Sequence, residues 1–274
     1  MWCGAMWNNI PGATYDQNRT QIFSSGGGVQ STAIAALIVR GDFPKPDLAV
    51  IVDTEREKST TWKYLETVTS PALSSVGVEI HRVPKSEYAR VDIWGGAKGK
   101  TILIPAYTSQ SGSTGKLNTY CSSEWKRDVK RRWATKEHMV KKAQDWMGFS
   151  VDEMGRAARM IKTKPGKWGV RFPLLELGMD RSDCLALVKE MGWPKPPRSS
   201  CWMCPNMHMR EWAEVMAGPD REKVIDFEKE IRRHDDQIWL TDQCVPVAQA
   251  DFSEKNISMW GDSGAECESG MCFV

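Results

Sequence analysis

Three consecutive glycines flanked by hydroxyl side chains form the first stretch of the chain with the residue types to bind an anion. Gly26, Gly27 and Gly28 can adopt positive φ and leave their amides uncovered, so that successive N–H groups converge on a phosphate. The neighbouring hydroxyl residues add hydrogen-bond donors, and they are Ser24, Ser25, Ser31 and Thr32. A helix is predicted to begin near Val29, with the positive end of its dipole at the same point. The pattern favours a phosphate site over the alternative, a plain turn between a strand and a helix.

A second chemical group is the cysteine pair in Cys201-Trp-Met-Cys204-Pro. Two thiolates three residues apart can bind one metal ion or cluster, because a tight turn brings both sulfurs into a single coordination sphere. We select Cys121 and Cys184 to complete a four-thiolate site, since both fall at predicted element ends on the ligand side. A [4Fe–4S] cluster, a zinc ion and a redox thiol pair without metal are the alternatives. On an apolar helix, a cysteine such as Cys184 is otherwise a small core residue.

Two further thiols, Cys267 and Cys272, lie close to the carboxyl terminus in a stretch rich in glycine and serine. A flexible tail of this kind can carry a nucleophilic thiol toward an active site. Both residues are therefore candidate catalytic groups.

The predicted elements around the glycines indicate how these groups are positioned. An apolar run leads into the glycines, and residues 32–39 continue as an apolar helix. Residues 48–52 form a continuous apolar run, typical of a strand buried on both faces of a parallel sheet. This strand ends at Asp53 and Thr54, beside the crevice where open α/β sheets bind ligands. Asp53 is thus a candidate acceptor for a ribose hydroxyl or adenine amino group, whereas Thr54 can equally cap the helix predicted over 59–70.

The middle of the chain combines a long loop with a basic stretch. Residues 92–119 are predicted to form a long loop with a short strand-like interruption at 102–104, and such a loop commonly acts as a functional lid. Phosphates or a nucleic-acid backbone could bind the basic stretch, although a solvated helix face is an equal alternative. The basic residues are Lys116, Lys126, Arg127, Lys130, Arg131, Arg132, Lys136, Lys141 and Lys142. Two amphipathic helices are predicted over 207–218 and 219–234.

Composition sets the outer limits of these expectations. The chain has 274 residues, of which 41% are apolar, enough for one large α/β domain with a buried core. Its net charge of +2 gives no indication of nucleic-acid binding. No run approaches the roughly 18 apolar residues that a membrane span requires, and the first residues lack a signal-peptide pattern. We expect a cytoplasmic protein whose eight cysteines are thiols or metal ligands rather than disulfides.

The glycine stretch resembles the pyrophosphate loop, Ser-Gly-Gly-x-Asp-Ser, of the PP-loop ATP pyrophosphatase and phosphoadenylylsulfate (PAPS) reductase superfamily. Gln30 stands where that loop usually has Asp. The segment Cys121 to Lys126 is similar to the superfamily's Cys followed by a basic residue, which implies that Lys126 reaches phosphate or sulfonate. The order Pro-Leu, helix, Cys-x-x-Cys-Pro also matches, and the cysteine pattern is nearest to that of ATPases that add sulfur to DNA or tRNA.

A strand is predicted over 143–149, and it leads into Gly148-Phe-Ser-Val-Asp-Glu-Met-Gly-Arg156. This segment looks like the superfamily's strand end, which implies that Glu153 and Arg156 lie near the ligand. A helix N-terminus with a surface ion pair is the alternative. The resemblance implies an α/β fold, doubly wound around a mainly parallel sheet. We expect a leader over 1–19, a nucleotide-binding domain over 20–205, and a C-terminal helical extension with the cysteine tail over 206–274.

The activity that the resemblance implies is ATP-dependent adenylylation and sulfur transfer to DNA or tRNA. Lys126 and Arg156 would stabilise the charge of the leaving pyrophosphate, and a cysteine desulfurase would supply sulfur; Gln30 leaves a role for Mg²⁺ open. The alternative is sulfonucleotide reduction, in which Cys267 or Cys272 attacks bound PAPS or APS and a thioredoxin-like partner reduces the product. A third alternative, suggested by Gln30, is an accessory protein that binds a nucleotide without catalysis.

Overall fold

The computed structural model describes residues 14–95, 101–109, 112–118, 120–162 and 166–253. The strands, in chain order, are β1 (Thr20–Ser25), β2 (Leu48–Asp53), β3 (Ile80–Pro84), β4 (Trp94–Gly95), β5 (Thr101–Ile102), β6 (Tyr107–Thr108), β7 (Gly115–Lys116), β8 (Ala143–Trp146), β9 (Trp168–Arg171) and β10 (Ile238–Trp239).

The helices are α1 (Val29–Arg40), α2 (Ser59–Tyr64), α3 (Ser70–Ser75), α4 (Lys85–Tyr88), α5 (Asp128–Glu137), α6 (Met154–Met160), α7 (Pro173–Glu176), α8 (Arg181–Glu190), α9 (Met209–Ala217) and α10 (Arg221–His234). Two π-helical turns, Leu65–Thr69 and Ser122–Arg127, lead directly into α3 and α5, and 3-10 turns cover Val151–Glu153 and Val247–Gln249. Among the residues that the structure describes, no helix combines the length and apolar character that crossing a membrane requires.

The central sheet has five parallel strands in the order β3-β2-β1-β8-β9. The chain winds outward from β1 in one direction through β2 and β3, and then returns to place β8 on the other side of β1. The strand order therefore reverses between β1 and β8, which is the position where open α/β sheets bind ligands. The predicted doubly wound α/β fold is confirmed.

Alternating side chains of the sheet reach two separate apolar clusters, because successive residues of a strand face opposite sides. Phe23 of β1 packs with α1 and α8, and its neighbour Ile22 packs with Val129 and Trp133 of α5. Helices therefore cover both faces of the sheet, and the continuous apolar runs of β1 and β2 are explained by this burial.

A third apolar cluster joins the middle of the chain to its C-terminal helices. It contains Ile104 from the segment between β5 and β6, Trp125 from the π-helical turn, and Trp212 and Phe227 from α9 and α10. The two predicted amphipathic helices are thus confirmed, with their apolar faces in this cluster.

Three segments differ from the sequence-based expectations. The helix predicted over 59–70 continues to Ser75, through the π-helical turn and α3. The predicted strand over 143–149 ends at Trp146, because the chain leaves the sheet and Gly148 packs against the backbone of α1. The predicted loop over 92–119 includes the short strands β4 to β7, of which β6 and β7 pair with each other and β6 also pairs with β10.

Candidate functional site

The glycine loop runs from the end of β1 to the start of α1, and its shape depends on glycine at two close contacts. Gly27 has a φ of +74°, and a Cβ there would lie 2.5 Å from Cγ2 of Thr61. A Cβ on Gly148, which follows β8, would lie 3.2 Å from the backbone nitrogen of Ser31. Only a residue without a side chain fits Gly27, and the backbone after β8 can approach the first turn of α1 because Gly148 also lacks one.

The hydroxyl groups around the loop mostly stabilise the loop itself. Ser31 Oγ and Thr32 Oγ1 donate to the Gly28 carbonyl at 3.0 and 2.9 Å. The Gly27 N–H donates to Ser25 Oγ at 3.2 Å. The sequence suggests these hydroxyls as additional phosphate donors, and in the structure they make bonds that hold the loop conformation.

A cavity of about 590 Å³ opens above the loop, between the carboxyl ends of β1 and β8. The loop, the first turn of α1 and the segment after β8 form one side of it, and the residues before and after the Cys-x-x-Cys pair form the other. Its lining residues are Ser24, Gly26, Gly28, Val29, Gln30, Ser31, Gly148, Phe149, Ser150, Asp152, Glu153, Gly155, Arg156, Arg159, Arg181, Arg198, Ser199, Asn206 and His208.

Four arginines and only two carboxylates of the described residues line this cavity. The arginines are Arg156, Arg159, Arg181 and Arg198, and the carboxylates are Asp152 and Glu153. Guanidinium groups present several N–H donors in a planar fork that matches phosphate oxygens. Together with the loop amides and the positive end of α1, they make the cavity suited to an anionic ligand with several phosphoryl groups.

Gln30, which replaces the Asp of the resembled loop, connects two charged residues of the cavity. Its amide nitrogen donates to Glu153 Oε2 at 3.1 Å, and its amide oxygen accepts from Arg181 Nη1 at 3.3 Å. Glu153 also pairs with Arg156. Burial raises the pKa of the Glu153 carboxyl, against the opposing charge of Arg156. Gln30 therefore spans the carboxylate and the arginine without adding a negative charge.

Asp53, at the end of β2, is predicted from the sequence to contact a nucleoside. In the structure it binds neighbouring groups of the protein. Asp53 Oδ2 accepts from Arg82 Nε and Nη2 at 2.9 and 2.6 Å, and Oδ1 accepts from the Glu55 N–H at 2.6 Å. Arg82 in turn stacks on Trp62, 3.7 Å from the ring centre. Asp53 does not line the 590 Å³ cavity. Thr54, the next residue, contacts a thiol instead, with Oγ1 3.3 Å from Cys201 Sγ.

Three of the four predicted metal ligands line one small cavity beside the larger one. Cys121, Cys201 and Cys204 surround a space of about 40 Å³, together with Trp125 and Met207. Burial raises the pKa of Cys201 to about 11, and it also raises the pKa of Cys204, with the neighbouring thiols adding to the effect. We call this space the thiol cavity.

Cys184 is not with the other three. It lies in α8, fully buried in the apolar cluster that α8 forms with α1, and burial raises its pKa to about 12. The sequence-based choice of Cys184 as a ligand depended on its place at an element end, but the helix turns this side chain into the core. The structure therefore groups Cys121, Cys201 and Cys204 and separates Cys184 from them.

The thiol cavity has the donor chemistry for an iron–sulfur cluster, because three thiols from two segments converge in apolar surroundings. Within the described ranges, no three or more cysteine, histidine, aspartate or glutamate side chains are already arranged around a single ion position. The thiol cavity therefore fits a cluster in the type of its residues and in their shared cavity, rather than in a preformed coordination geometry.

Lys126 lies between the loop and the thiols rather than in the 590 Å³ cavity. It lines the thiol cavity and also a smaller cavity beneath the loop, with Ser24, Ser25 and Gly26. Its Nζ is 3.7 Å from Glu57 Oε2. Burial acts to lower the pKa of Lys126, but the charges of Glu57 and the three thiols outweigh it, and the pKa is raised.

Several of the remaining basic residues of 116–142 pair with carboxylates of the same chain. Lys130 is buried and pairs with the buried carboxylate of Asp145 at 3.0 Å, and it also donates to Ser24 Oγ at 2.8 Å. Arg127 and Arg132 pair with Asp128 and Glu124. Lys130 therefore supports the sheet and the loop from behind, whereas Lys136, Lys141 and Lys142 are exposed.

Sequence reasoning missed Arg181, at the start of α8, and Arg198, Asn206 and His208, which lie on either side of the Cys-x-x-Cys pair. A positional signal existed for the last two, since they directly follow the Cys-x-x-Cys-Pro motif. The other candidate thiols, Cys267 and Cys272, lie outside the described residues.

Comparisons with known proteins add two structural similarities. No family model matches the sequence, and no curated protein matches it. The PAPS reductase from Candida auris, in its phosphate complex, matches with 14% identity and a TM-score of 0.37, covering 65% of this chain and 75% of that chain. The U34-tRNA thiolase NcsA from Methanococcus maripaludis, with its [4Fe–4S] cluster, matches with 13% identity and a TM-score of 0.41, covering 83% and 75%.

Because both TM-scores are below 0.5, we base the functional proposal on this chain's own residues.

Proposed function

We propose that this protein is an enzyme that binds an adenine nucleotide in the 590 Å³ cavity, with the phosphates against the Gly26–Gly28 loop. The observation that carries the proposal is the meeting of this loop, the start of α1 and the arginines at the point where the strand order reverses. Backbone amides and a helix start bind phosphates without sequence-specific side chains, and the arginines neutralise the remaining charge.

The reaction that we propose is ATP-dependent activation of an acceptor, followed by sulfur transfer. An oxygen of the acceptor attacks the α-phosphorus, the bond to the bridging oxygen breaks, and pyrophosphate leaves. A sulfur nucleophile then attacks the activated carbon of a tRNA base, or the activated phosphorus of a DNA backbone, and AMP leaves with the acceptor oxygen. Arg156 and Arg181, which line the cavity, would stabilise the charge on pyrophosphate as it separates. We assign Lys126 to the thiol side of the loop, where its positive charge favours the thiolate form of the neighbouring cysteines.

Cys121, Cys201 and Cys204 would hold a [4Fe–4S] cluster in this proposal, and that group would carry or relay sulfur. The acceptor would be a DNA or tRNA, and a cysteine desulfurase would supply the sulfur, as the sequence resemblance implies.

A second candidate is sulfonucleotide reduction, and the position of Gln30 favours it. Transfer of the sulfonate group from PAPS or APS to a thiolate needs no metal at the phosphates, and Gln30 contributes no carboxylate for a metal. The thiolate of Cys267 or Cys272 would attack the sulfur and release the nucleotide. A thioredoxin-like dithiol would then reduce the resulting S-sulfonate and release sulfite.

Product analysis separates the candidates. Incubation of the anaerobically purified protein with ATP, tRNA or DNA, cysteine, a cysteine desulfurase and a dithiol reductant is expected to yield AMP, pyrophosphate and thiolated nucleic acid. Arg156→Met should slow AMP formation, whereas Arg221→Met, which changes a surface pair with Glu222, should not. Sulfite release from PAPS with a thioredoxin-like reductant would favour the second candidate. Nucleotide binding without either product would indicate the non-catalytic alternative and contradict the proposed enzyme.

A further inference from the structure

Glu211 is a buried carboxylate in the first turn of α9, outside every motif discussed above, and it has three partners. Its side chain is 8% exposed. Oε1 lies 3.3 Å from Nζ of the equally buried Lys58, and Oε2 lies 3.4 Å from Nε of Arg198. Oε2 also accepts from the His208 N–H at 3.2 Å.

These partners place Glu211 at the boundary between the two cavities. Glu211 itself lines the thiol cavity, whereas Arg198 and His208 line the 590 Å³ cavity. Lys58 ties the same region to the Cys-x-x-Cys segment, because its backbone N–H donates to the Ser200 carbonyl at 3.2 Å.

The contact with Arg198 determines which part of the guanidinium faces a ligand. The Arg198 side chain is 44% exposed, and in the described part of the chain Glu211 is its ion-pair partner. Since Glu211 lies at Nε, the two terminal amino groups remain available to an anion in the cavity. A guanidinium held along one edge loses less rotational freedom when its other edge binds phosphate.

We propose that Glu211 is a positioning residue, which holds Arg198 toward the phosphates of the bound nucleotide. This inference rests on the proposed nucleotide site, and it assigns a role to a residue that does not itself line that site. The competing explanation is that Glu211 only neutralises Lys58 and stabilises the fold. The two explanations differ in whether the effect of Glu211 on binding depends on Arg198.

A double-mutant cycle tests this dependence by calorimetric titration of the full chain with ATP and with inorganic pyrophosphate. Glu211→Gln is expected to weaken both ligands roughly fivefold, in keeping with coupling energies of contacting charged residues. In an Arg198→Met background, Glu211→Gln should have no further effect on either ligand. Glu214→Gln is the matched control, since it removes the same charge from an exposed position of α9 and should leave both affinities unchanged.

Three outcomes would overturn the inference. An equal loss of affinity from Glu211→Gln with and without Arg198 would show that Glu211 acts through Lys58 and the fold. Unchanged affinity in Glu211→Gln would also overturn it, while leaving the nucleotide site intact. Absence of binding by the wild type would contradict the proposed function itself and this inference with it. If Glu211→Gln fails to fold, as judged by its thermal midpoint, Glu211→Asp enters the same cycle.

Discussion

The side-chain hydroxyl of Ser199 donates a hydrogen bond to the backbone carbonyl of Gly26. Ser199 precedes Cys201 by two residues, and its Cβ also lies 3.5 Å from the Cβ position of Gly28. The glycine loop is therefore in direct contact with the segment that carries the Cys-x-x-Cys pair. Only the short segment from Ser199 to Cys201 would therefore separate a nucleotide bound at the loop from a reactive group at the thiols.

Replacement of Gly27 by alanine is expected to disrupt the loop. The new Cβ would meet Thr61 at 2.5 Å, and a φ of +74° is strained for alanine. We expect a loss of about 1–3 kcal/mol in the free energy of unfolding. We also expect the displaced loop to weaken the binding of ATP roughly tenfold, which corresponds to about 1.4 kcal/mol of binding free energy.

Gly155→Ala is the matched control, because Gly155 lines the same cavity and a Cβ there meets nothing within 4 Å. Calorimetric titration and chemical denaturation of both variants measure the two effects. Equal ATP affinity in Gly27→Ala and Gly155→Ala would contradict a role for the loop conformation.

The buried pair beneath the loop predicts a large stability difference between two lysine variants. Lys130→Met leaves the Asp145 carboxylate buried without its cation, and we expect it to lower the free energy of unfolding by about 3–5 kcal/mol. Lys136→Met removes an exposed pair with Glu137 and should cost about 0–1 kcal/mol. Urea denaturation of both variants gives the comparison, and similar costs would mean that the Lys130 pair is not effectively buried.

The placement of the cysteines predicts which variants lose a bound cluster. After anaerobic purification, Cys121→Ala, Cys201→Ala and Cys204→Ala are expected to lose iron and acid-labile sulfide relative to the wild type, because these thiols share one cavity. Cys184→Ala should retain them, since Cys184 lies in the core between α1 and α8. Iron loss in Cys184→Ala alone, in a variant with a normal thermal midpoint, would contradict this assignment.

The buried carboxyl group of Glu228 is expected to make the stability of the protein depend on pH, independently of the nucleotide site. Burial raises its pKa, against the bonds that it accepts from the Val247 and Leu240 N–H groups. A raised carboxyl pKa means that the contribution to stability is full below the ordinary value near 4.5 and declines as pH rises through the folded-state pKa. The thermal midpoint of the wild type minus that of Glu228→Gln should therefore fall between pH 4 and neutrality. A difference that rises over this interval would show the opposite shift.

The sequence predicted the parts of the site that depend on local patterns. The glycine loop, the apolar strands beside it and the Cys-x-x-Cys pair are contiguous stretches whose residue types determine their conformation. The sequence could not predict that Asp53 pairs with Arg82, because that contact joins neighbouring strands. It also could not place Arg181 and Arg198, which reach the cavity from separate segments, or the inward face of α8 that buries Cys184.

The most direct test of the nucleotide site is a crystal structure of the full chain with α,β-methylene-ATP, which cannot be cleaved between the α- and β-phosphates. We expect the phosphates within hydrogen-bond distance of the Gly26–Gly28 amides and the first turn of α1, with Arg156, Arg181 and Arg198 around them. A nucleotide bound elsewhere, or phosphates directed away from the loop, would contradict the proposed function.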